Sequence, residues 1–381
     1  DIEGKNQMYH AWRVGVLSTK LADLLDPSLT VPLTYAGLLH DIGAVGIDDH
    51  VAYHPDQENQ KYIPWLRSHS LRGAEIMGEI PGMWDTVPHV LNHHERWDGK
   101  GYPRGLYGNS LTLGAQIIRV ADSSELLLRQ YKQADSDDYI ADISRLAGTQ
   151  VSREVGEAAG RLLSSRDFFN HWSDTETLPA LVDAMLTDTD TAELHVSADE
   201  IGSSLRVFAS IIDAKHKYTA GHSERVSKYG VRLAMGLDLP REQALQVRYA
   251  GLLHDVGKAS VPSSLLDKEA SLTEYEYARV KKHPLLTIEV LGTISSLAVV
   301  APIAGGHHER YDGSGYPLGL KGDEIPIGAR ILAVADAFDA ITSDRAYRKA
   351  QNPINAIRII EENSGSQFDP RVVAAAPLLI E

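Results

Sequence analysis

The stretch Ala36-Gly37-Leu38-Leu39-His40-Asp41-Ile42-Gly43 occurs again 214 residues later as Ala250-Gly251-Leu252-Leu253-His254-Asp255-Val256-Gly257. A second pair of stretches, His93 to Pro103 and His307 to Pro317, shares the pattern His-His-Glu-Arg-aromatic-Asp-Gly-x-Gly-Tyr-Pro at the same spacing of 214 residues. Such a register is typical of a repeated structural unit. The chain is therefore predicted to be a tandem duplication of one domain.

Two segments of the second half carry apolar residues every three or four positions, the period of one helix face: Ile201, Leu205, Phe208 and Ile212, and then Ile327, Ile331, Val334, Phe338 and Ile341. Strict alternation, which is typical of strands, is hard to find. We predict an all-α fold with one domain over residues 1–186, a polar linker over 187–198 and a second domain over 199–381. By the register, the first domain is expected to lack the helix that begins near Asp199 in the second.

Composition excludes several classes of protein. The 381 residues include no Cys, so no disulfide framework and no thiolate metal site can form, and we expect a cytoplasmic protein. The net charge of -15 is a poor match to long nucleic acid. Apolar stretches such as Leu297 to Ala304 are far shorter than the roughly 20 residues of a membrane helix, so no membrane segment is expected.

Histidine is concentrated at the repeated positions, which hold ten of the 16 His residues. An adjacent pair such as His254-Asp255 suits a metal cluster, because the imidazole offers one nitrogen and the carboxylate can bridge two ions. Nitrogen and oxygen ligands without sulfur favour Fe, Mn, Zn or Ni. The repeated histidines therefore predict a metal centre in each half.

The second half also carries the pattern His254-Asp255-x-Gly257-Lys258, the Gly-Tyr-Pro stretch described above, and Ser343-Asp344-Arg345-x-Tyr347-Arg348. In these motifs the chain resembles the HD-GYP family, the HD-domain phosphohydrolases that hydrolyse bacterial cyclic dinucleotides. The resemblance implies one set of metal ligands, with Asp255 bridging: His222, His254, Asp255, His283, His307, His308 and Asp336. It implies two divalent ions, with Fe or Mn preferred and Ni, Zn or Mg as alternatives.

The same resemblance implies groups that meet the substrate. Lys258, four residues after His254 and so expected on the same helix face, is the cation for the scissile phosphate or the leaving oxygen. Arg345 and Arg348 are expected to contact phosphate or guanine, since a guanidinium fork matches phosphate oxygens. Tyr316 and Pro317 are expected to shape the loop beside the bound substrate.

One departure from the family bears on the number of ions. Some members carry a Glu four residues before the first ligand His, where it helps to hold a third metal ion. This chain has Tyr218 at that position, and a phenol is a poor ligand near neutral pH. Two ions are therefore expected.

The first half keeps the ligand types but not the other motifs. Its matching set is His10, His40, Asp41, His69, His93, His94 and Asp122. Ala44 stands at the lysine position, and no Ser-Asp-Arg-x-Tyr-Arg stretch follows Asp122. We interpret this half as a degenerate copy with a sensory, scaffolding or dimerising role, which would make the protein a homodimer in the last case.

The predicted function is hydrolysis of cyclic di-GMP, or of a mixed cyclic GMP-AMP, to a linear dinucleotide and further to mononucleotides. The reaction uses a water that two cations activate, and Lys258 stabilises the transition state. One alternative is a receptor that binds the dinucleotide without turnover. Another is a general HD phosphohydrolase that acts on mononucleotides, against which the Gly-Tyr-Pro stretch and the two arginines argue.

Overall fold

The computed structural model describes residues 2–45, 62–131, 137–189, 197–214, 220–268, 270–344 and 349–380. Regular structure in these ranges is helical apart from two isolated β-bridges, Ala147 with Val151 and Ser364 with Phe368. The predicted all-α fold is therefore confirmed. Contacts divide the chain into two compact units, Asp1–Ser197 and Ala198–Glu381. None of the described helices is long and apolar enough to cross a membrane.

The helices of the first unit are α1 (Ile2–Leu25), α2 (Thr30–Leu39), α3 (Pro64–Glu79), α4 (Val87–Asn92), α5 (Leu113–Leu128), α6 (Asp137–Arg145), α7 (Arg153–Leu163), α8 (Arg166–Ser173) and α9 (Leu178–Thr189). Short 3-10 turns join several of them, such as Ile42–Ala44. Helix α1 lies against α2, α5 and α9. It therefore brings His10 next to the helices that carry or precede Asp122 and His40.

The helices of the second unit are α10 (Ala198–Ala214), α11 (His222–Gly236), α12 (Arg241–Leu253), α13 (Ser263–Leu266), α14 (Glu274–Val280), α15 (His283–Gly292), α16 (Ala301–Gly305), α17 (Ile327–Thr342), α18 (Pro353–Glu362) and α19 (Pro370–Ala375). Helix α11 packs on α12 and α17, and α15 packs on α16 and on the 3-10 turn Val256–Ser260. The repeated histidines lie at or just beyond the ends of α11, α12, α15 and α16, which brings them to one place.

The apolar face predicted for α17 is confirmed, because Ile331, Val334 and Phe338 are buried in the core of the second unit. The face predicted for α10 is wrong at Phe208, whose side chain is 43% exposed, while Val207 is buried. Periodicity alone misplaced the stripe because α10 buries residues on more than one side.

The predicted linker differs from the structure at its first residues. Helix α9 continues to Thr189, so positions 187–189 of the predicted linker are helical. Residues 190–196 of the predicted linker lie outside the described residues. The polar Thr-Asp alternation has low helix propensity and is exposed at its first two positions, but it continues a helix that packs against α1 and α2. The Thr187 hydroxyl also donates to the carbonyl of Asp183 at 2.8 Å.

Gly257 allows the turn after the His-Asp pair to approach α15. Its N–H donates to the hydroxyl of Thr287 at 3.1 Å, and that hydroxyl donates to the carbonyl of His254 at 3.1 Å. A Cβ at Gly257 would overlap the carbonyl oxygen of His283. The glycine therefore fixes the distance between two segments that each carry candidate metal ligands.

Replacing Gly257 with Ala is expected to push the turn away from α15 and to lower the free energy of unfolding by about 1 to 3 kcal/mol, as overpacking of a close contact does. Gly292→Ala is the matched control, since a Cβ there meets no atom within 4 Å. Denaturant unfolding of the full chain measures both variants. Equal stability of Gly257→Ala and the parent protein would contradict this account of the turn.

Candidate metal centres

Asp255 lies at the centre of the second unit's histidines and divides them into two groups. Its Oδ2 atom is 3.5 Å from Nε2 of His254 and 3.8 Å from Nε2 of His222. Its Oδ1 atom is 3.3 Å from Nε2 of His283 and 3.9 Å from Nε2 of His307. One carboxylate therefore presents one oxygen to each of two imidazole pairs, which is the geometry of a bridging ligand.

The remaining members of the predicted set complete the two groups. The Oδ1 atom of Asp336 is 3.4 Å from Nε2 of His222, on the Oδ2 side of Asp255. His308 joins His283 and His307 in a group whose ligand atoms lie within 4.8 Å of one another. The structure therefore brings together all seven residues of the set predicted for the second half.

The imidazole rings are held with Nε2 free of a proton. The Nδ1 atoms of His254, His283 and His307 lie 2.8, 2.7 and 2.6 Å from the carbonyl oxygens of Gly251, Val280 and Ala304. A carbonyl oxygen only accepts, so each Nδ1 carries the proton and each Nε2 presents a lone pair. Three bare nitrogens thus face the same carboxylate.

A metal cation can satisfy these buried oxygen and nitrogen atoms, which hydrogen bonds cannot do. The Oδ1 atom of Asp255 is buried and makes no hydrogen bond, and the nearby Nε2 atoms have no proton to donate. Buried lone pairs that face one another repel, and a divalent ion between them removes the repulsion. The donor set therefore fits a metal centre.

Protonation of these groups agrees with ligand chemistry. Burial lowers the pKa of His254 and His308, and it lowers the pKa of His307 to about 3. For Asp255, burial opposes ionisation, but nearby His254 and Lys258 hold its pKa well below the usual range. Neutral imidazoles and an ionised carboxylate are the forms that bind metal ions.

His222 is oriented by a carboxylate that the sequence analysis missed. Its Nδ1 atom donates to Oδ2 of Asp339 at 2.7 Å, and Arg225 donates to Oδ1 of Asp339 at 2.6 Å. Burial lowers the pKa of His222, but Asp339 and Asp336 raise it by more, so the pKa lies above its ordinary value. The carboxylates around His222 therefore favour a positive charge there. The repeat offered a signal, because Glu125 stands 214 residues before Asp339 and bonds His10 in the same way at 2.7 Å.

Lys258 lies beside the centre, but not on the helix predicted for it. Helix α12 ends at Leu253, and Lys258 belongs to the 3-10 turn Val256–Ser260. Its Nζ atom is 2.6 Å from Oδ2 of Asp255. The chain folds back after the His-Asp pair because Gly257 packs against α15, and this turn rather than a helix face aims the lysine.

The Gly-Tyr-Pro loop packs against His308, one of the candidate metal ligands. The ring of Tyr316 packs on His308 with centroids 4.9 Å apart, and the Nζ atom of Lys281 lies 4.5 Å from the centre of the Tyr316 ring. Glu309 holds the loop by accepting from the N–H groups of Leu318 and Leu320 at 2.7 and 3.0 Å. No role for Lys281 or Glu309 was predicted from the sequence. Pro317 follows a cis peptide bond at a partly exposed position.

A cleft of about 420 Å³ opens on this centre. Its polar wall holds His222, Lys258, His308 and Asp336, and its other wall is largely apolar, with Ile341 among its residues. Sites for small molecules have volumes of roughly 300 to 1,000 Å³ and combine apolar walls with a few polar groups. The cleft therefore suits a small ligand that reaches the metal centre.

The first unit repeats the two-group geometry around Asp41. Its Oδ2 atom is 3.5 Å from Nε2 of His40 and 3.7 Å from Nε2 of His10, and its Oδ1 atom is 3.4 Å from Nε2 of His69. The Oδ1 atom is buried without a hydrogen bond, as in the second unit. His93, His94 and Asp122 complete the groups, so all seven predicted residues of this half meet.

Three predictions fall where the structure gives no description. Arg345 and Arg348, the predicted substrate arginines, lie outside the described residues, and so does Tyr218, on which the predicted number of ions rests. These assignments stay predictions.

Comparison with known proteins agrees with the motifs. The family model described as "HD domain" matches residues 7–155 and 206–372. The chain is 30% identical to 3′3′-cGAMP-specific phosphodiesterase 1 of Vibrio cholerae, over 98% of this chain and 87% of the relative. It is 30% identical to 3′3′-cGAMP-specific phosphodiesterase 3 of the same organism, over 81% of this chain and 66% of the relative.

A cyclic di-GMP phosphodiesterase of Pseudomonas aeruginosa is 40% identical over 68% of this chain and 66% of its own length. The crystal structure of a cyclic GMP-AMP specific phosphodiesterase of V. cholerae covers 99% of this chain and 96% of its own, with a TM-score of 0.64 and 23% identity, and it shares the fold. This chain belongs to the HD domain family, in its HD-GYP branch.

Replacing Asp339 with Asn keeps the size of the side chain but removes the charge that orients His222. We expect the affinity for metal ions to fall about 10-fold or more, in the range found when such supporting carboxylates are changed. Competition with a chelator, read on the full chain, measures the affinity. Glu362→Gln, which changes only an exposed pair with Arg358, is the control, and identical metal release by both variants would contradict the role of Asp339.

Proposed function

We propose that the second domain is a metal-dependent phosphodiesterase that hydrolyses a 3′,5′ phosphodiester bond of a cyclic dinucleotide. The observation that carries the proposal is the position of Asp255, whose two oxygens face two separate imidazole groups. Members of both groups, His222 and His308, line the cleft. Two-metal centres of phosphatases and nucleases stabilise both the attacking and the leaving oxygen of a phosphate ester.

Two divalent ions, with Fe or Mn preferred, would be held by the set His222, His254, Asp255, His283, His307, His308 and Asp336. When bound, they would supply a lowered pKa to the attacking water and positive charge to the phosphate oxygens. The number of ions rests on Tyr218, which replaces a carboxylate of some family members. Their identity rests on the nitrogen and oxygen donors.

Lys258 is proposed to stabilise the charge that develops on the phosphate. Its ammonium group is 2.6 Å from Oδ2 of Asp255 and borders the cleft, so it lies within reach of a phosphate seated at the centre. Tyr316, Pro317, Arg345 and Arg348 are proposed to contact the bases and the second phosphate. The ring of Tyr316 packs on His308 with centroids 4.9 Å apart, which supports a role beside the substrate.

The choice of substrate lies between 3′3′-cGAMP and cyclic di-GMP. Two relatives that align with 81% and 98% of this chain are named for 3′3′-cGAMP, which makes it the first substrate to test. The first domain has Ala44 in place of the lysine and is proposed to be non-catalytic. Its part in a homodimer and the cytoplasmic location of the protein stay predictions.

A direct assay offers the purified full chain, with added Mn or Fe, each of the two cyclic dinucleotides and reads the products by chromatography. Metal-dependent appearance of linear dinucleotide supports the proposal. Binding of the cyclic dinucleotide without any product would favour the receptor instead, and release of phosphate from mononucleotides alone would favour the general phosphohydrolase.

Lys258→Ala is expected to lower kcat by a factor on the order of 100 while the metal content stays unchanged, because one transition-state contact is lost and no ligand is removed. Lys268→Ala is the matched control, since Lys268 pairs with Glu276 away from the cleft. Kinetics and metal analysis are done on the same samples. An unchanged rate for Lys258→Ala would make that lysine structural.

A further inference from the structure

The two domains differ at the last histidine of the set. In the first domain, the guanidinium of Arg119 lies 3.2 Å from Nδ1 of His94 and donates through Nε to the side-chain oxygen of Gln150 at 2.9 Å. Both Arg119 and His94 are buried, with 2% and 1% exposure. The matching position in the second domain is Ala333, whose methyl group offers no donor.

This contact fixes where the proton of His94 lies. A guanidinium has only donors, so Nδ1 of His94 must accept and cannot carry a proton. In a neutral imidazole the proton then sits on Nε2, the atom that points into the centre. The other ligand histidines of this domain have the opposite arrangement, as in His93, whose Nδ1 atom faces the carbonyl oxygen of Val90 at 2.6 Å.

The protonated Nε2 of His94 has a partner inside the cluster. It lies 3.1 Å from Nε2 of His69, and the Nδ1 atom of His69 faces the carbonyl oxygen of Leu66, so Nε2 of His69 is a bare acceptor. His94 can therefore donate a hydrogen bond to His69. That bond occupies the lone pair that a metal ion on this side would need.

The other side of the first domain's cluster keeps its ligands. The Nδ1 atom of His10 bonds Glu125 at 2.7 Å, and that of His40 faces the carbonyl oxygen of Gly37 at 2.8 Å, so each is held as a ligand histidine is. Their Nε2 atoms are 3.2 Å apart, and Asp122 and Asp41 lie beside them. Two imidazoles and two carboxylates suffice for one ion.

We propose that the first domain holds a single divalent metal ion, at His10, His40, Asp41 and Asp122, and that Arg119 prevents a second ion from binding at His69, His93 and His94. The Arg119 guanidinium supplies a positive charge beside the cluster. By donating to Nδ1 of His94, it makes His94 a hydrogen-bond donor to His69 and no longer a metal ligand. The retained ion then joins α1, α2 and α5 in a non-catalytic copy.

The test counts ions in each domain of the full chain, by anomalous scattering from crystals grown with Mn and by elemental analysis of the same protein. We expect one ion in the first domain of the parent protein and two in Arg119→Ala, which reproduces the Ala333 environment. Arg119→Met, which keeps most of the volume without a donor, is expected to give two as well. Arg119→Lys retains a donor-only cation and is expected to keep one.

Two ions in the first domain of the parent protein would overturn the proposal. One ion in folded Arg119→Met would overturn it too, and this variant decides the question if Arg119→Ala does not fold. The counts in the second domain are separate, so failure of the proposed phosphodiesterase centre there would be seen independently.

Discussion

Each domain buries several unprotonated imidazole nitrogens and two carboxylates against one another, and a positive charge among them is what makes that arrangement stable. Backbone carbonyls hold the proton of most of these rings on Nδ1, as that of Val280 does for His283. A carboxylate does so for His10 and His222, and only His94 has Arg119 at this nitrogen. The buried Oδ1 atoms of Asp255 and Asp41 have no hydrogen-bond partner, and a cation beside them satisfies them. The helix ends, the turn at Gly257 and the Gly-Tyr-Pro loop hold the imidazole nitrogens and the carboxylate oxygens close to one another.

Because the domain is duplicated, the two copies can be compared residue by residue. Both keep the central aspartate, Asp255 or Asp41, and a carboxylate that bonds Nδ1 of the first histidine, Asp339 in one copy and Glu125 in the other. They differ in the cations next to the cluster. The second domain has Lys258 on the open side, where a substrate can meet it, whereas the first has Arg119 buried against His94. Lys258 is partly exposed and borders the cleft, so it can meet a substrate, whereas Arg119 is buried and contacts the cluster itself.

The helical fold and the ligand sets could be predicted from the sequence, since spacing and residue type survive in both copies. What the sequence could not give depends on contacts between distant segments. Asp339 meets His222 across 117 positions, and no local pattern links them. The direction of the Lys258 side chain depends on a turn that packs against α15. The effect of Arg119 on His94 depends on which nitrogen of the His94 ring it faces. Phe208 was misplaced because periodicity does not say how many sides of a helix are covered.

The central claim is that Asp255 bridges two ions and that the second domain alone carries hydrolysis. The most direct measurement compares turnover of a cyclic dinucleotide by Asp255→Asn and Asp41→Asn in the full chain, with folding checked by circular dichroism. Loss of turnover in Asp255→Asn together with near-parent turnover in Asp41→Asn is the expected result. Loss of turnover in folded Asp41→Asn, or its survival in Asp255→Asn, would contradict the claim.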